Sequence, residues 1–236
     1  KVLIEQGVDT MFGYPGGSVL NLYDELYKAQ DQITHIMTAH EQGAAHAADG
    51  YARATGKVGV VMSTSGPGAT NLVTGIATAY LDSIPLVAIC GNVPTTQIGT
   101  DSFQEIDIAG VTLPITKHNY FVGSVENLAD TIREAFALAQ SGRPGPVLID
   151  VPIDMQQKSI PDFDYSRPVD IIGYKPRVQG HSLQIKKAVD ALRTCKRPVI
   201  CVGGGVFSAG AQKELCAFIE KLNLPAISTM MGIGAL

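Results

Sequence analysis

Ile33-Thr34-His35-Ile36-Met37-Thr38-Ala39-His40-Glu41-Gln42-Gly43-Ala44-Ala45-His46-Ala47-Ala48-Asp49-Gly50-Tyr51-Ala52-Arg53 is the stretch on which the reading of this 236-residue chain turns. Ile33 to Met37 reads as a strand, and a helix opens at His40 just after it. Gly43, Ala44, Ala45, Ala47 and Ala48 leave one side of that helix without bulk, so a neighbour packs very close to it. Glu41 falls in the first turn, where the helix dipole favours a carboxylate. It reads either as a first-turn charge with no further role or as part of a site. The second reading rests on its place at the carboxyl end of a strand, where open α/β sheets hold their ligands. Its small and apolar flanks also suggest a partly buried carboxylate with a raised pKa.

The pattern extends in both directions. Val2 to Gln6 ends a helix, Val8 to Tyr14 is a strand, and Pro15-Gly16-Gly17 is a turn. Ser18 is placed to cap a helix running to about Ala29. Val58 to Met62 is a strand, followed by Ser63 to Asn71 as a turn and a small-residue helix to about Leu81. Pro85 to Cys90 is another strand, and Gly91 to Ser102 a polar loop. Phe103-Gln104-Glu105 begins a short helix, and Thr116 to Val122 is extended. Val125, Leu128, Ile132, Phe136 and Ala139 recur at helical spacing, and Pro146 to Val151 is a buried strand. Near-continuous apolar strands alternating with helices predict an α/β fold, a parallel sheet with helices on both faces. Residues 1–155 form that domain. The mixed Pro, Asp, Lys and Gln stretch at 156–177 reads as a linker. Residues 178–236 restart the pattern as the first half of a second, Rossmann-like α/β domain. The chain starts at Lys1 within a helical pattern and ends at Leu236 just after a strand, so a piece of something longer is expected.

Composition narrows the classes. Apolar residues make up 45% and charged residues 17%, enough for a sizeable core. A net charge of -4 with no basic cluster gives no case for nucleic acid. No apolar run reaches membrane-spanning length and no signal peptide is visible, so no membrane role and a cytoplasmic location are expected. Cys90, Cys195, Cys201 and Cys216 show neither CxxC nor zinc spacing and read as reduced thiols. His35, His40, His46 and His118 form no metal pattern, so no metal ligand is assigned.

Three further constellations carry chemistry or only shape. Ser65-Gly66-Pro67-Gly68-Ala69-Thr70-Asn71 partly matches a dinucleotide turn, but Asn71 stands where the third Gly belongs and Cys90-Gly91 where the acidic residue belongs. It also reads as a tight turn, or as bare backbone that lets a flat ring approach. Gly203-Gly204-Gly205 follows a strand, and its amides could face a diphosphate or simply turn the chain. Arg143, held between Gly142 and Pro144, is either a surface turn residue or a guanidinium set to meet phosphate or a flat ring.

Taken in order, Phe12-Gly13-Tyr14-Pro15-Gly16-Gly17, His40-Glu41-Gln42-Gly43-Ala44 through Tyr51-Ala52-Arg53, and Thr64-Ser65-Gly66-Pro67-Gly68-Ala69-Thr70-Asn71 resemble the thiamine-diphosphate enzymes. With Asp82-Ser83-Ile84-Pro85, Phe103-Gln104-Glu105 and Gly142-Arg143-Pro144-Gly145-Pro146-Val147, the resemblance is strongest to the acetolactate synthase (acetohydroxyacid synthase) catalytic subunits. It runs from Val2 to the end and is most specific between Phe12 and Val151. It implies a pyrimidine-binding domain in which Glu41 hydrogen-bonds the aminopyrimidine ring of thiamine diphosphate and shares a proton with it. The cofactor then acts as the electron sink when pyruvate loses carbon dioxide, and the remaining two-carbon unit joins a second 2-oxo acid, pyruvate or 2-oxobutyrate. The products, acetolactate or acetohydroxybutyrate, lead to branched-chain amino acids. By the same resemblance Gly17 and Ser18 lie at the thiazolium, Gln104 faces the reacting centre beside Phe103, and Val93 and Pro94 line the channel. Arg143, Gly203, Gly204, Gly205, Thr229 and Met230 would contact a structural FAD. Mg²⁺ would be held in a third domain that this sequence lacks, so the chain alone is expected to be inactive. The resemblance implies a homodimer or homotetramer and leaves room for a small regulatory subunit. Ile153 departs from the lysine of many members, which puts any polar role there in doubt. Another thiamine-diphosphate decarboxylase or carboligase, or a non-catalytic dimerisation or FAD-binding piece, are the alternatives. The small-residue faces of the Glu41 helix and of the Gly68 to Gly75 helix are candidates for a subunit contact, with plain core packing as the other reading.

Overall fold

The computed structural model describes residues 1–160, 163–165 and 167–236. The chain divides into two compact units, Lys1–Lys175 and Pro176–Leu236. In the first, the elements run α1 (Val2–Glu5), β1 (Thr10–Tyr14), α2 (Leu20–Lys28), β2 (Thr34–Met37), α3 (Glu41–Thr55) and β3 (Gly59–Ser63). Then come α4 (Pro67–Thr70), α5 (Val73–Asp82), β4 (Leu86–Asn92), α6 (Ile108–Thr112), β5 (His118–Phe121), α7 (Leu128–Gln140), β6 (Pro146–Pro152) and α8 (Ile153–Gln156).

Six strands form one parallel sheet in the order β2-β1-β3-β4-β6-β5. β3, β4 and β6 are buried along their whole length, which is why their sequences are nearly unbroken apolar runs. Successive residues feed opposite cores. Met11, Val60, Val87 and Ile149 face one core with Val19, Leu26 and Phe136. Phe12, Val61, Ala88 and Leu148 face the other with Ala44, Leu72, Ile76 and Ile108. Helices therefore cover both faces, as the sequence pattern predicted. The chain leaves β1 toward β2, then crosses back through α3 to β3 on the other side. That reversal opens a crevice beyond the carboxyl ends of β1 and β3, the usual ligand position in such sheets.

α3 is set by its ends and its small side chains. The His40 ring Nδ1 accepts the Gln42 amide at 3.1 Å, and Gly56 ends the helix in the left-handed region at φ +73°. Ala44, Ala45 and Ala48 are fully buried. A Cβ on Gly75 of α5 would fall 2.4 Å from the Ala45 Cβ, and one on Gly59 of β3 would fall 2.2 Å from the Ala48 carbonyl oxygen. The small residues thus serve an approach within the chain. Ala44, Ala45, Ala48 and Gly75 are taken up by this core packing, while Gly43 of the same helix stays exposed and Ala47 half-buried.

Three local expectations are corrected. Ser18 does not cap α2: a 3-10 turn, Gly17–Val19, comes first and the Ser18 side chain is used elsewhere. The small-residue helix is two pieces, α4 and α5, offset at Asn71-Leu72. Phe103-Gln104-Glu105 is a turn and starts no helix. Glu105 folds back to accept the amides of Gly99 and of Ser102, the latter at 2.9 Å. The helix waits until α6, where Asp107 caps the Gly110 amide at 2.8 Å. At Gly66 and Gly68 the Cβ positions are taken by atoms of this chain, the Gln104 backbone at the first and the Thr64 methyl at the second.

Within 156–177, the stretch read as a linker, several described residues are tied to the first unit. The Gln156 amide donates to the Ser18 carbonyl at 2.7 Å, and Arg133, buried and paired with Glu5 at 2.8 Å, also donates to the Asp164 carbonyl at 2.5 Å. In the second unit, α9 (Ser182–Thr194) leads to β7 (Ile200–Val202). α10 (Gly205–Ser208), α11 (Gln212–Leu222) and β8 (Ala226–Ser228) follow. β7 and β8 pair in parallel.

Substituting Gly75→Ala should cost about 1–3 kcal/mol by overpacking the α3–α5 contact. Gly50→Ala, on the open side of α3, should instead stabilise by about 0.5–1 kcal/mol. Urea unfolding of the two variants checks both signs.

Candidate active site

The crevice is built by two loops stitched together. Pro15-Gly16-Gly17-Ser18 follows β1 and Thr64-Ser65-Gly66 follows β3. The Ser18 hydroxyl donates to the Ser65 hydroxyl at 2.7 Å, accepts the Ser65 amide at 2.9 Å, and lies 2.8 Å from the Thr64 hydroxyl. The Ser18 amide also donates to the Thr64 hydroxyl at 3.2 Å. A Cβ on Gly16 would sit 2.5 Å from the Thr64 Cβ, so the loops are in contact there. One on Gly17 would meet nothing within 4 Å, so its α-carbon faces open space.

Glu41 opens α3 at the edge of this crevice and is only 8% exposed. Its Oε2 accepts the Asn71 side-chain amide at 2.9 Å. Its Oε1 lies against Gly68, whose Cβ would come within 3.2 Å of it and within 2.7 Å of the Thr64 methyl. Beneath it the Tyr23 hydroxyl meets His35 Nε2 at 3.2 Å. Burial, with the Glu41 charge adding, pushes the Tyr23 phenol well above its usual range.

Gln104 arrives from a distant loop. Gly66 turns with φ +57°, and a Cβ there would fall 2.7 Å from the Gln104 carbonyl oxygen and 2.8 Å from its Cα. Gln104 itself adopts φ +58°, a left-handed conformation uncommon outside glycine. The missing side chain at Gly66 therefore admits the Gln104 backbone. Gly17, Ser18, Glu41 and Gln104 thus come together around the two stitched loops. Val93 is buried and Pro94 half-buried just past β4, while Phe103 is 86% exposed.

Arg143 is exposed, and its guanidinium donates to the Ser83 hydroxyl at 2.7 Å and the Leu81 carbonyl at 3.3 Å. In the second unit the Gly203–Gly205 turn lies beside Thr229, whose amide donates to the Val202 carbonyl at 2.8 Å. A Cβ on Gly203 would be 3.8 Å from the Thr229 hydroxyl. Met230 is 85% exposed. Among the described residues, no three His, Cys, Asp or Glu side chains cluster to hold a metal ion, and no helix is long and apolar enough to cross a membrane.

Sequence reasoning missed several residues. Asn71 stands in the sequence as the end of the Thr64 to Asn71 motif and as a mismatch to a dinucleotide turn, and the signal of its role is a polar amide where glycine is expected. Thr64 and Ser65 carried no sign of their bonds to Ser18. Asp150 is the least expected. It lies within the apolar β6, 4% exposed, with its Oδ2 accepting the Asn92 amide at 2.7 Å. Burial raises its carboxyl from 3.8 to about 7; the Asn92 hydrogen bond opposes this and the Asp107 charge adds to it. In the same row, burial pushes the Cys90 thiol up to about 12.

Residues 1–111 match the N-terminal TPP binding domain of thiamine pyrophosphate enzymes, and residues 185–236 match the central domain of the same enzymes. The chain belongs to the thiamine pyrophosphate enzymes. Its similar relatives are acetolactate synthase large subunits. It is 54% identical to the probable acetolactate synthase large subunit of Methanocaldococcus jannaschii, over 99% of this chain and 40% of the relative. Identity is 53% to the acetolactate synthase of Arthrospira platensis, over 98% of this chain and 41% of the relative. For the acetolactate synthase isozyme 3 large subunit of Escherichia coli K12 it is 49%, over 100% and 41%. The chain thus spans about two fifths of the length of these relatives.

Asn71→Ala should cost about 1–3 kcal/mol by leaving a buried Glu41 oxygen without its donor, measured by chemical denaturation at neutral pH. Asp150 holds its proton in the folded chain over a range where the unfolded chain has lost it. Its contribution to stability is full below pH 3.8 and is lost as pH rises to about 7. Asp150→Asn should flatten the pH dependence of unfolding free energy across that window.

Proposed function

We propose that this chain forms the pyrimidine-binding part and the start of the middle domain of an acetolactate synthase. The activity is thiamine-diphosphate-dependent condensation of pyruvate with a second 2-oxo acid, with loss of carbon dioxide. The observation that carries this is the Glu41 carboxylate: buried, first in its helix, held at one oxygen by Asn71 and with the other against the glycine turn. Such a group suits an acceptor that holds a proton against a ring nitrogen of the cofactor. When bound, thiamine diphosphate supplies the electron sink for decarboxylation.

The chain's own residues do the rest. Glu41 holds the shared proton and sets the ring's orientation. Gly17, without a side chain, leaves the floor clear for the thiazolium, and Ser18 keeps the two loops joined. The Gln104 side-chain amide offers hydrogen bonds to the reacting carbonyl. Val93, Pro94 and Phe103 line the approach of the 2-oxo acid and exclude water. In the second unit the turn Gly203-Gly204-Gly205 beside Thr229 and Met230 suits a diphosphate and flat ring, and we assign it with Arg143 to FAD. Mg²⁺ ligands belong to a domain outside this sequence. The whole protein is a homodimer or homotetramer in the cytoplasm, with room for a small regulatory subunit.

The test uses the full-length enzyme. Glu41→Gln should lower acetolactate formation from pyruvate by about 10²–10⁴-fold, the scale of a lost proton-transfer group. Unchanged turnover would overturn the assignment of Glu41. Free acetaldehyde or tartronate semialdehyde as the main product would instead point to another carboligase or decarboxylase.

A further inference from the structure

Asp150 stands in an otherwise apolar strand, Pro146 to Pro152, paired on both sides by β4 and β5. An apolar residue there would be buried without the cost of removing a carboxylate from water. Among the described residues, only the Asp150 Oδ1 and the Gln156 Oε1 are buried side-chain polar atoms with no hydrogen-bond partner. The fold therefore carries an expensive group whose single side-chain bond is to Asn92.

That bond has a consequence for the chain beyond β4. An asparagine amide can face either way. With its Nδ2 bound to Asp150 at 2.7 Å, its Oδ1 must face the other side, and there it accepts the Val93 amide at 2.8 Å. Reversed, the amide would set a donor against the Val93 N–H. Two residues on, Thr95 is held by a second acid from the same edge of the sheet. Asp154 accepts the Thr95 amide at 3.1 Å and its hydroxyl at 2.6 Å. The arch Val93-Pro94-Thr95 is thus anchored at one foot by the Asn92 amide, itself held by Asp150 on β6, and at the other directly by Asp154 on α8. The other groups facing Asp150 are Cys90 and Phe121 in register on the neighbouring strands and the Asp107 carboxylate at the start of α6.

We propose that Asp150 is a positioning residue: by fixing which way the Asn92 amide points, it sets the arch Val93-Pro94-Thr95 at the mouth of the crevice. The consequence for turnover rests on the assignment of Val93 and Pro94 to the substrate approach. Asp150 itself touches no reacting atom. An apolar replacement frees the arch, whereas asparagine, of the same shape, can still accept from Asn92.

The experiment compares full-length parent, Asp150→Leu, Asp150→Asn and Asn92→Ala. Amide hydrogen exchange is followed at Val93 and Thr95, with Val60 and Val61 of β3 as reporters of global opening. KM for pyruvate is followed separately from kcat. Asp150→Leu and Asn92→Ala should speed Val93 exchange about tenfold, the weight of one lost hydrogen bond, and leave β3 protected. KM should rise while kcat changes less, and Asp150→Asn should restore both readings. Parent-like Val93 exchange in Asp150→Leu, or failure of Asp150→Asn to restore it, overturns the proposal. Should Asp150→Leu fail to fold, Asn92→Ala decides by the same exchange reading. The exchange result stands even if the parent makes no acetolactate, in which case it is the functional reading that fails.

Discussion

The close approach of α3 to α5 and β3 is the constraint on which the rest depends. Helix axes packed through ordinary side chains stand 8–10 Å apart. Here Gly75 and Gly59 let the backbone of α3 come nearer than any side chain allows, against Ala45 and Ala48. That closeness carries Glu41 into the crevice at the switch point of the sheet. It also brings Asn71, at the break between α4 and α5, within hydrogen-bond distance of the carboxylate. A bulkier interface would leave Glu41 at the surface, where a first-turn acid does nothing more than meet the helix dipole.

Two further close approaches complete the site. Gly16 rests on Thr64, and Gly66 admits the backbone of Gln104. Each joins a loop from one strand to a loop from another, and Ser18 bonds the first pair across the gap. Glycine acts in these places less as a flexible residue than as a missing side chain. The crevice is thus held by contacts between its own walls before anything enters it, which is the preorganisation that the role proposed for Glu41 requires. The acids at the end of β6 extend the same logic to the rim, by hydrogen bonds in place of close packing.

Much of this was legible in the residues. The alternation of apolar strands and helices announced a parallel sheet covered on both faces, because a strand buried on both sides must be apolar throughout. The order of the motifs around Glu41 pointed to the thiamine enzymes, and the relatives bear that out. Local rules failed where a distant segment intervened. Ser18 had the chemistry of a helix cap but bonds Thr64 and Ser65, 46 and 47 residues away. The turn at Phe103-Gln104-Glu105 is stopped by Glu105 reaching back to loop amides, which competes with helix formation. The small-residue faces were ambiguous because a chain that needs a close neighbour does not say whether that neighbour is itself.

The sequence by itself determined the periodicities: where strands and helices lie, that the sheet is parallel, and that an acid opens the third helix. Those follow from residue-by-residue preference and from the two faces each strand must bury. Only the tertiary structure decided which atoms that acid meets. The partners of Glu41, Gly66 and Asp150 come from segments about 30 to 60 residues away, and their pairing follows from strand order and helix packing, which no local spacing encodes.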